Sequence, residues 1–164
     1  MKKKNIKGFI VAVLEKNGEK QVFETHNIVT NDGDIYYAER GAGQTPTNAF
    51  SSNVLGTGVG TPAKADTFAS LTVISGSEKA ISATYPKTND SDTDNTGATP
   101  DTVSYLYEYS GADGDWSNIT EGAIVVPGAS GSDPILCHYA FSSAFNKDSN
   151  TTLKLFVNHT ANGV

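Results

Sequence analysis

The residues with the clearest ligand-like spacing are four aspartates. Asp90, Asp92 and Asp94 alternate within residues 87–101, and Asp101 falls at the twelfth position counted from Asp90. Carboxylates at that spacing are what a calcium loop supplies as oxygen ligands. Asn95 stands at position six where the loop needs glycine, no glutamate closes the site and no helices are expected beside it. Those departures favour a solvated acidic loop over a metal site.

Nucleophilic chemistry finds less support. A Ser-His-Asp site needs a serine on a strained turn with its base in reach, and no G-x-S-x-G occurs. His26, His138 and His159 fall on separate expected strands with no carboxylate at a fixed offset. Cys137 precedes His138, but neighbouring strand residues point to opposite faces, so a thiol–imidazole pair is not expected. Cys137 sits in an apolar register and reads as a buried structural cysteine. Gly56-Thr57-Gly58-Val59-Gly60 lacks the following Lys-Ser/Thr and helix of a phosphate loop, and reads as a turn. Glu108 and Glu121 are the strand-borne carboxylates to test for glycoside hydrolysis. No catalytic residue and no cofactor are expected.

Positioning elements follow from composition and periodicity. The 164 residues suit one domain, 1–164, with a basic N-terminal arm (1–7) and an extended loop region (41–66). Hydrophobic residues make up 37% and charged residues 18%, while Thr, Gly, Ser and Asn are abundant. That balance is too poor in strong helix formers for a bundle and too well patterned for disorder. The net charge of −6 argues against a nucleic-acid binder, which needs a basic stripe to neutralise phosphates. Lys2, Lys3 and Lys4 form, with Lys7, the one dense basic patch, either a solvated terminus or an arm for an acidic protein surface. The apolar stretch Phe9–Leu14 is too short for a signal-peptide core or a membrane span, so neither a cleaved leader nor a membrane partner is expected. The Asn-x-Ser/Thr triplets at Asn89, Asn118, Asn150 and Asn158 matter only in a secretory pathway.

Residues 8–15 form a run that is apolar on both faces, and Asn17-Gly18 is a type I′ hairpin signal leading to a return strand over residues 19–25. Asn31, Asp32 and Asp34 open a short helix that Gly41 stops. Further strands are expected at 51–55, 70–75, 79–85, 102–109, 119–126, 135–141 and 152–159. Tyr105, Tyr107 and Tyr109 line one face of the 102–109 strand, either as an interface between copies or as core. The sum predicts an all-β fold with one short helix and long loops: a β-sandwich, with a jelly roll as one form of it.

Four segments, taken in order, resemble small virion structural proteins of tailed bacteriophages. They are Asn27-Ile28-Val29-Thr30-Asn31-Asp32-Gly33, Val54-Leu55-Gly56-Thr57-Gly58 with Pro62-Ala63 and Asp66-Thr67, Trp116-Ser117-Asn118-Ile119-Thr120-Glu121, and Thr151-Thr152-Leu153-Lys154-Leu155. The resemblance is greatest to capsid decoration, or cement, proteins. It implies a non-enzymatic protein made in the host cytoplasm, bound to the major capsid protein on the virion surface, and often a homotrimer. A tail-fibre or tail-tip protein acting in host attachment is the alternative, with Trp116 as its one candidate sugar platform.

Overall fold

The structure, a computed structural model, describes residues 6–88 and 101–161. Among these residues the strands are β1 (Ile6–Lys16), β2 (Glu19–Val29), β3 (Ser52–Gly56), β4 (Lys79–Ala80), β5 (Lys87–Thr88), β6 (Thr102–Tyr109), β7 (Trp116–Val125), β8 (Ile135–Lys147) and β9 (Thr151–Ala161). The helix, α1, spans Asn31–Gly41. All the strands belong to one antiparallel sheet of order β4-β3-β7-β8-β2-β1-β9-β6-β5, curled into a half-barrel.

The mostly-β expectation therefore holds, and the two-sheet sandwich, jelly roll included, is corrected. β1 is buried on both faces, as its apolar run requires. The second covering layer is not another sheet. The concave face packs on the far side of the same curled sheet, while the convex face meets Phe9 and Tyr85 over Val11, Val13, Leu106 and Phe156. Residues 70–75 are also not a strand. A single turn of 3-10 helix at Phe68–Ser70 precedes an isolated bridge from Val73 to Gly56. Of residues 79–85 only the first two pair as a strand.

β1 and β2 turn on Asn17 (φ 53°) and Gly18 (φ 81°), the left-handed pair that a tight hairpin needs. β6, β9, β1 and β2 are in continuous register, so their inward side chains stack in rungs. Tyr105, Val157, Ile10 and Thr25 form one rung, and Tyr107, Leu155, Ala12 and Phe23 the next. Ala12 supplies the space that its bulky rung partners fill. Burying each large side chain of this core stabilises the fold by roughly 1.5–3 kcal/mol.

The two ends of the sheet come together through one short segment. β4 pairs with β3 at one rim and β5 with β6 at the other. Between them Ile81 N donates to Ser51 O and Ser82 N to Leu106 O, each at 2.8 Å, so residues 79–88 strap the seam. Helix α1 is capped by Thr30, whose hydroxyl accepts from Gly33 N at 3.0 Å. Gly33 allows the first turn to lie against β8, because a Cβ there would sit 2.2 Å from Leu136 O. Tyr36, on the same helix, is buried against Phe50.

Candidate functional site

The densest chemistry lies on the convex face. β7 and β8 pair Glu121 with Ala140 and Ala123 with His138, placing the Glu121 and His138 side chains diagonally on one face. His138 Nε2 lies 3.0 Å from Glu121 Oε2, and His138 Nδ1 lies 2.7 Å from Asp66 Oδ2. Glu121 Oε1 accepts from Gly58 N at 3.0 Å and Thr72 N at 2.7 Å, and Asp66 Oδ2 also accepts from Ala63 N. The side chains of Glu121 and His138 are 1% and 3% exposed, and that of Asp66 17%. The glycines of the 56–60 turn make this possible. A Cβ on Gly56 or Gly58 would come within 2.5 Å of Glu121 Oε1.

Burial opposes the charged form of His138, but hydrogen bonds and attraction from the two carboxylates outweigh it and raise its pKa above 6.5. Burial likewise works against ionised Glu121, yet hydrogen bonds from His138, Thr72 and Gly58 hold it below its ordinary value. Asp66 is lowered in the same way, with desolvation overcome by His138, Ala63 and Ser70. The arrangement sets the imidazole between two carboxylates and favours its doubly protonated form. Both ring nitrogens are engaged, so His138 in this state offers no free nitrogen to a substrate proton. The cluster instead ties the loop after β3 to the sheet, where Phe68, Leu71 and Val73 cover Val54, Ala123, Val125 and Ile135.

A second network runs through the interior. Asn27 Nδ2 donates to His159 Nε2 at 2.6 Å, which leaves the Nδ1 proton for Tyr37 Oη, also at 2.6 Å. Tyr37 Oη is 3.0 Å from Tyr105 Oη. Burial pushes the His159 pKa down to about 3, so this ring is neutral. Asn53 donates to Tyr109 Oη at 2.9 Å and accepts from Tyr139 Oη at 2.8 Å. Desolvation raises the pKa of Tyr37, Tyr105, Tyr107, Tyr109 and Tyr139, and pushes the Cys137 thiol up to about 12.

These positions locate the residues singled out by sequence. Tyr105, Tyr107 and Tyr109 are at most 2% exposed and belong to the chain's own core. Cys137 is buried in that core, while His138 faces the other way. Trp116 is largely buried, beneath the Lys147 ammonium at 5.1 Å and edge-on to Tyr109. Glu108 and Glu121 have different partners, Ser82 Oγ for the first and His138 for the second. Asp101 is exposed at the entry to β6, where its carbonyl accepts from Ala161 N. Asp90, Asp92, Asp94, Lys2, Lys3 and Lys4 lie outside the described residues. Among the described residues, no group of three His, Cys, Asp or Glu side chains is placed to hold a metal ion, and no helix is long and apolar enough to cross a membrane.

One open cleft of about 610 Å³ lies where β2 and β8 diverge beyond the paired stretch Asn27–Val29 and Cys137–Tyr139. Its Phe23 and Phe145 rings stack on each other at 4.5 Å, and Lys16 and Asp148 close an ion pair at 2.6 Å. Sequence reasoning missed the Asp66–His138–Glu121 cluster. The available signal was Glu121 itself, a carboxylate sharing a strand face with Ala123 and Val125, where burial demands a partner. Comparisons of the chain with known protein families, with curated proteins and with solved structures find no match.

Proposed function

We propose that this chain is a non-enzymatic virion structural protein of a tailed bacteriophage, a decoration protein that binds the major capsid protein from outside and stabilises the shell across subunit seams. The reading rests on the ordered resemblance of four segments. The observation that carries it furthest is the internal use of reactive side chains. His138 and His159 have both ring nitrogens engaged within the fold, and Glu121 accepts from two backbone N–H groups and the imidazole. Such a body keeps its reactive groups internal, and a polar surface of short side chains loses little conformational entropy on docking.

With the tyrosine row in the core, contact with a shell falls to the basic arm at Lys2, Lys3 and Lys4 and to the polar loops. Self-association into a homotrimer is part of the same proposal. The test is cosedimentation of the purified chain with capsids lacking decoration, alongside light scattering of the free chain. Saturable binding that raises capsid melting, and that weakens when the three lysines become glutamate, supports the proposal. A monomer at all concentrations that never binds capsids overturns it, and immunogold label at the tail tip assigns the chain to host attachment instead.

A further inference from the structure

We propose that Asp66, His138 and Glu121 form a proton-operated latch, which keeps the loop of residues 57–72 docked on the convex face only while His138 carries both ring protons. The argument begins with donor counting. Ionised carboxylates only accept hydrogen bonds, and His138 faces one from each nitrogen, at 2.7 Å and 3.0 Å. Neutral imidazole has a single N–H. Losing one proton therefore turns one contact into a nitrogen lone pair against a carboxylate oxygen, and on the Glu121 side the site is too buried for water to screen it.

The weaker side is the loop. Glu121 is fixed in β7 and 1% exposed, whereas Asp66 belongs to the loop and is 17% exposed. Outside the latch itself the loop is held by Gly58 N and Thr72 N on Glu121, Thr120 Oγ1 on Gly58 O, Phe68 N on Asp133 O, Asn31 N on Lys64 O and the Lys64–Asp34 ion pair, while Ala63 N on Asp66 braces it internally. Other charges near the latch are internally paired, Lys64 with Asp34 of α1 at 2.7 Å and the Asp133 carboxylate with Ser130 N. From β2 the register neighbour of His138 is apolar Ile28, and His26, two residues before it, lies 3.3 Å from Gly8 O. Among the described residues no second cation stands in for the imidazolium in these contacts. Opening the latch uncovers the apolar strip Val54, Ala123, Val125 and Ile135.

The sign follows from linkage. The folded-state pKa of His138 lies above 6.5, so its contribution is complete below that value and is lost as pH rises through the raised one. The lowered carboxylates act oppositely, contributing above their ordinary values of 3.8 and 4.5 and losing that contribution in acid. The latch is thus closed below the raised His138 value and above the lowered carboxylate values.

The experiment is NMR on the intact chain. Ring nitrogen shifts of His138 are followed together with hydrogen-exchange protection at Gly58, Ala63 and Thr72, from about pH 6 to about pH 10 with base catalysis corrected for. The expected result is loss of protection at those amides in step with His138 deprotonation, while Ala12 in β1 stays protected. Glu121→Gln supplies the decisive variant. Its amide oxygen can still accept from Gly58 and Thr72, and its NH₂ can donate to neutral His138, so the loop should stay protected throughout. His138→Gln should leave the loop poorly protected at every pH. The proposal is overturned if wild-type protection ignores the His138 titration, or if Glu121→Gln remains as alkali-sensitive as wild type.

Discussion

Asn27 and His159 lie on strands separated by β1, yet the side-chain amide of one meets the imidazole of the other at 2.6 Å. Gly8 makes the crossing possible. It is the register partner of both residues, and a Cβ there would fall 1.0 Å from Asn27 Oδ1. Gly8→Ala should displace Asn27 and strand His159, at a cost of about 2–3 kcal/mol in urea unfolding. Because the two positions compete for one space, Gly8→Ala combined with Asn27→Ala should cost clearly less than the sum of the single changes. Additive losses would contradict this geometry.

The two buried histidines set opposite limits on stability. His159 is kept neutral down to about pH 3, so between pH 6.5 and that value the unfolded chain binds the extra proton and acid destabilises. His138 is held protonated above 6.5, so alkali destabilises as pH rises through its folded value. Each limb has a slope of up to about 1.4 kcal/mol per pH unit. Urea midpoints should therefore peak near pH 6.5. His159→Gln should flatten the acid side, although Asp66 and Glu121 still contribute below 4.5, and His138→Gln should flatten the alkaline side.

Neighbouring tyrosines on β6 should respond differently to loss of the hydroxyl. Among the described residues Tyr107 Oη is buried without a hydrogen-bond partner, whereas Tyr109 Oη bonds to Asn53 and donates to Ser77 O at 3.2 Å. Tyr107→Phe should be neutral or mildly stabilising, and Tyr109→Phe should cost about 1–2 kcal/mol. Thermal melts of the two variants check the contrast, and equal shifts would refute it.

Thr84 sits in the strap at φ 73°, a left-handed conformation in which a β-branched side chain is strained. Thr84→Gly should release that strain against a smaller gain in unfolded-state entropy, a net stabilisation of about 0.5–1 kcal/mol. Chemical denaturation would show it as a higher midpoint with unchanged slope.

Local features were legible from the residues alone. Asn17-Gly18 marked the hairpin, the 31–41 segment marked the helix, and alternation over 102–109 marked β6 at its observed bounds. The cap lies one residue ahead of that segment's polar opening, because Thr30 supplies the hydroxyl that accepts from Gly33 N. Sheet order was not legible, since two-sided burial of β1 fits a curled sheet as well as a sandwich. Nor were the polar clusters. Asp66 and His138 are 72 residues apart and Asn27 and His159 are 132 apart, and only the folded sheet and its covering loop bring each pair together.

The strap across the seam has a consequence for how copies of this chain can meet. At the two ends of the sheet order stand β4 and β5, each two residues long and tied to the other by residues 81–86. Those ends present too little bare peptide to template a neighbour's backbone, which denies them the strand-by-strand growth that seeds fibrils.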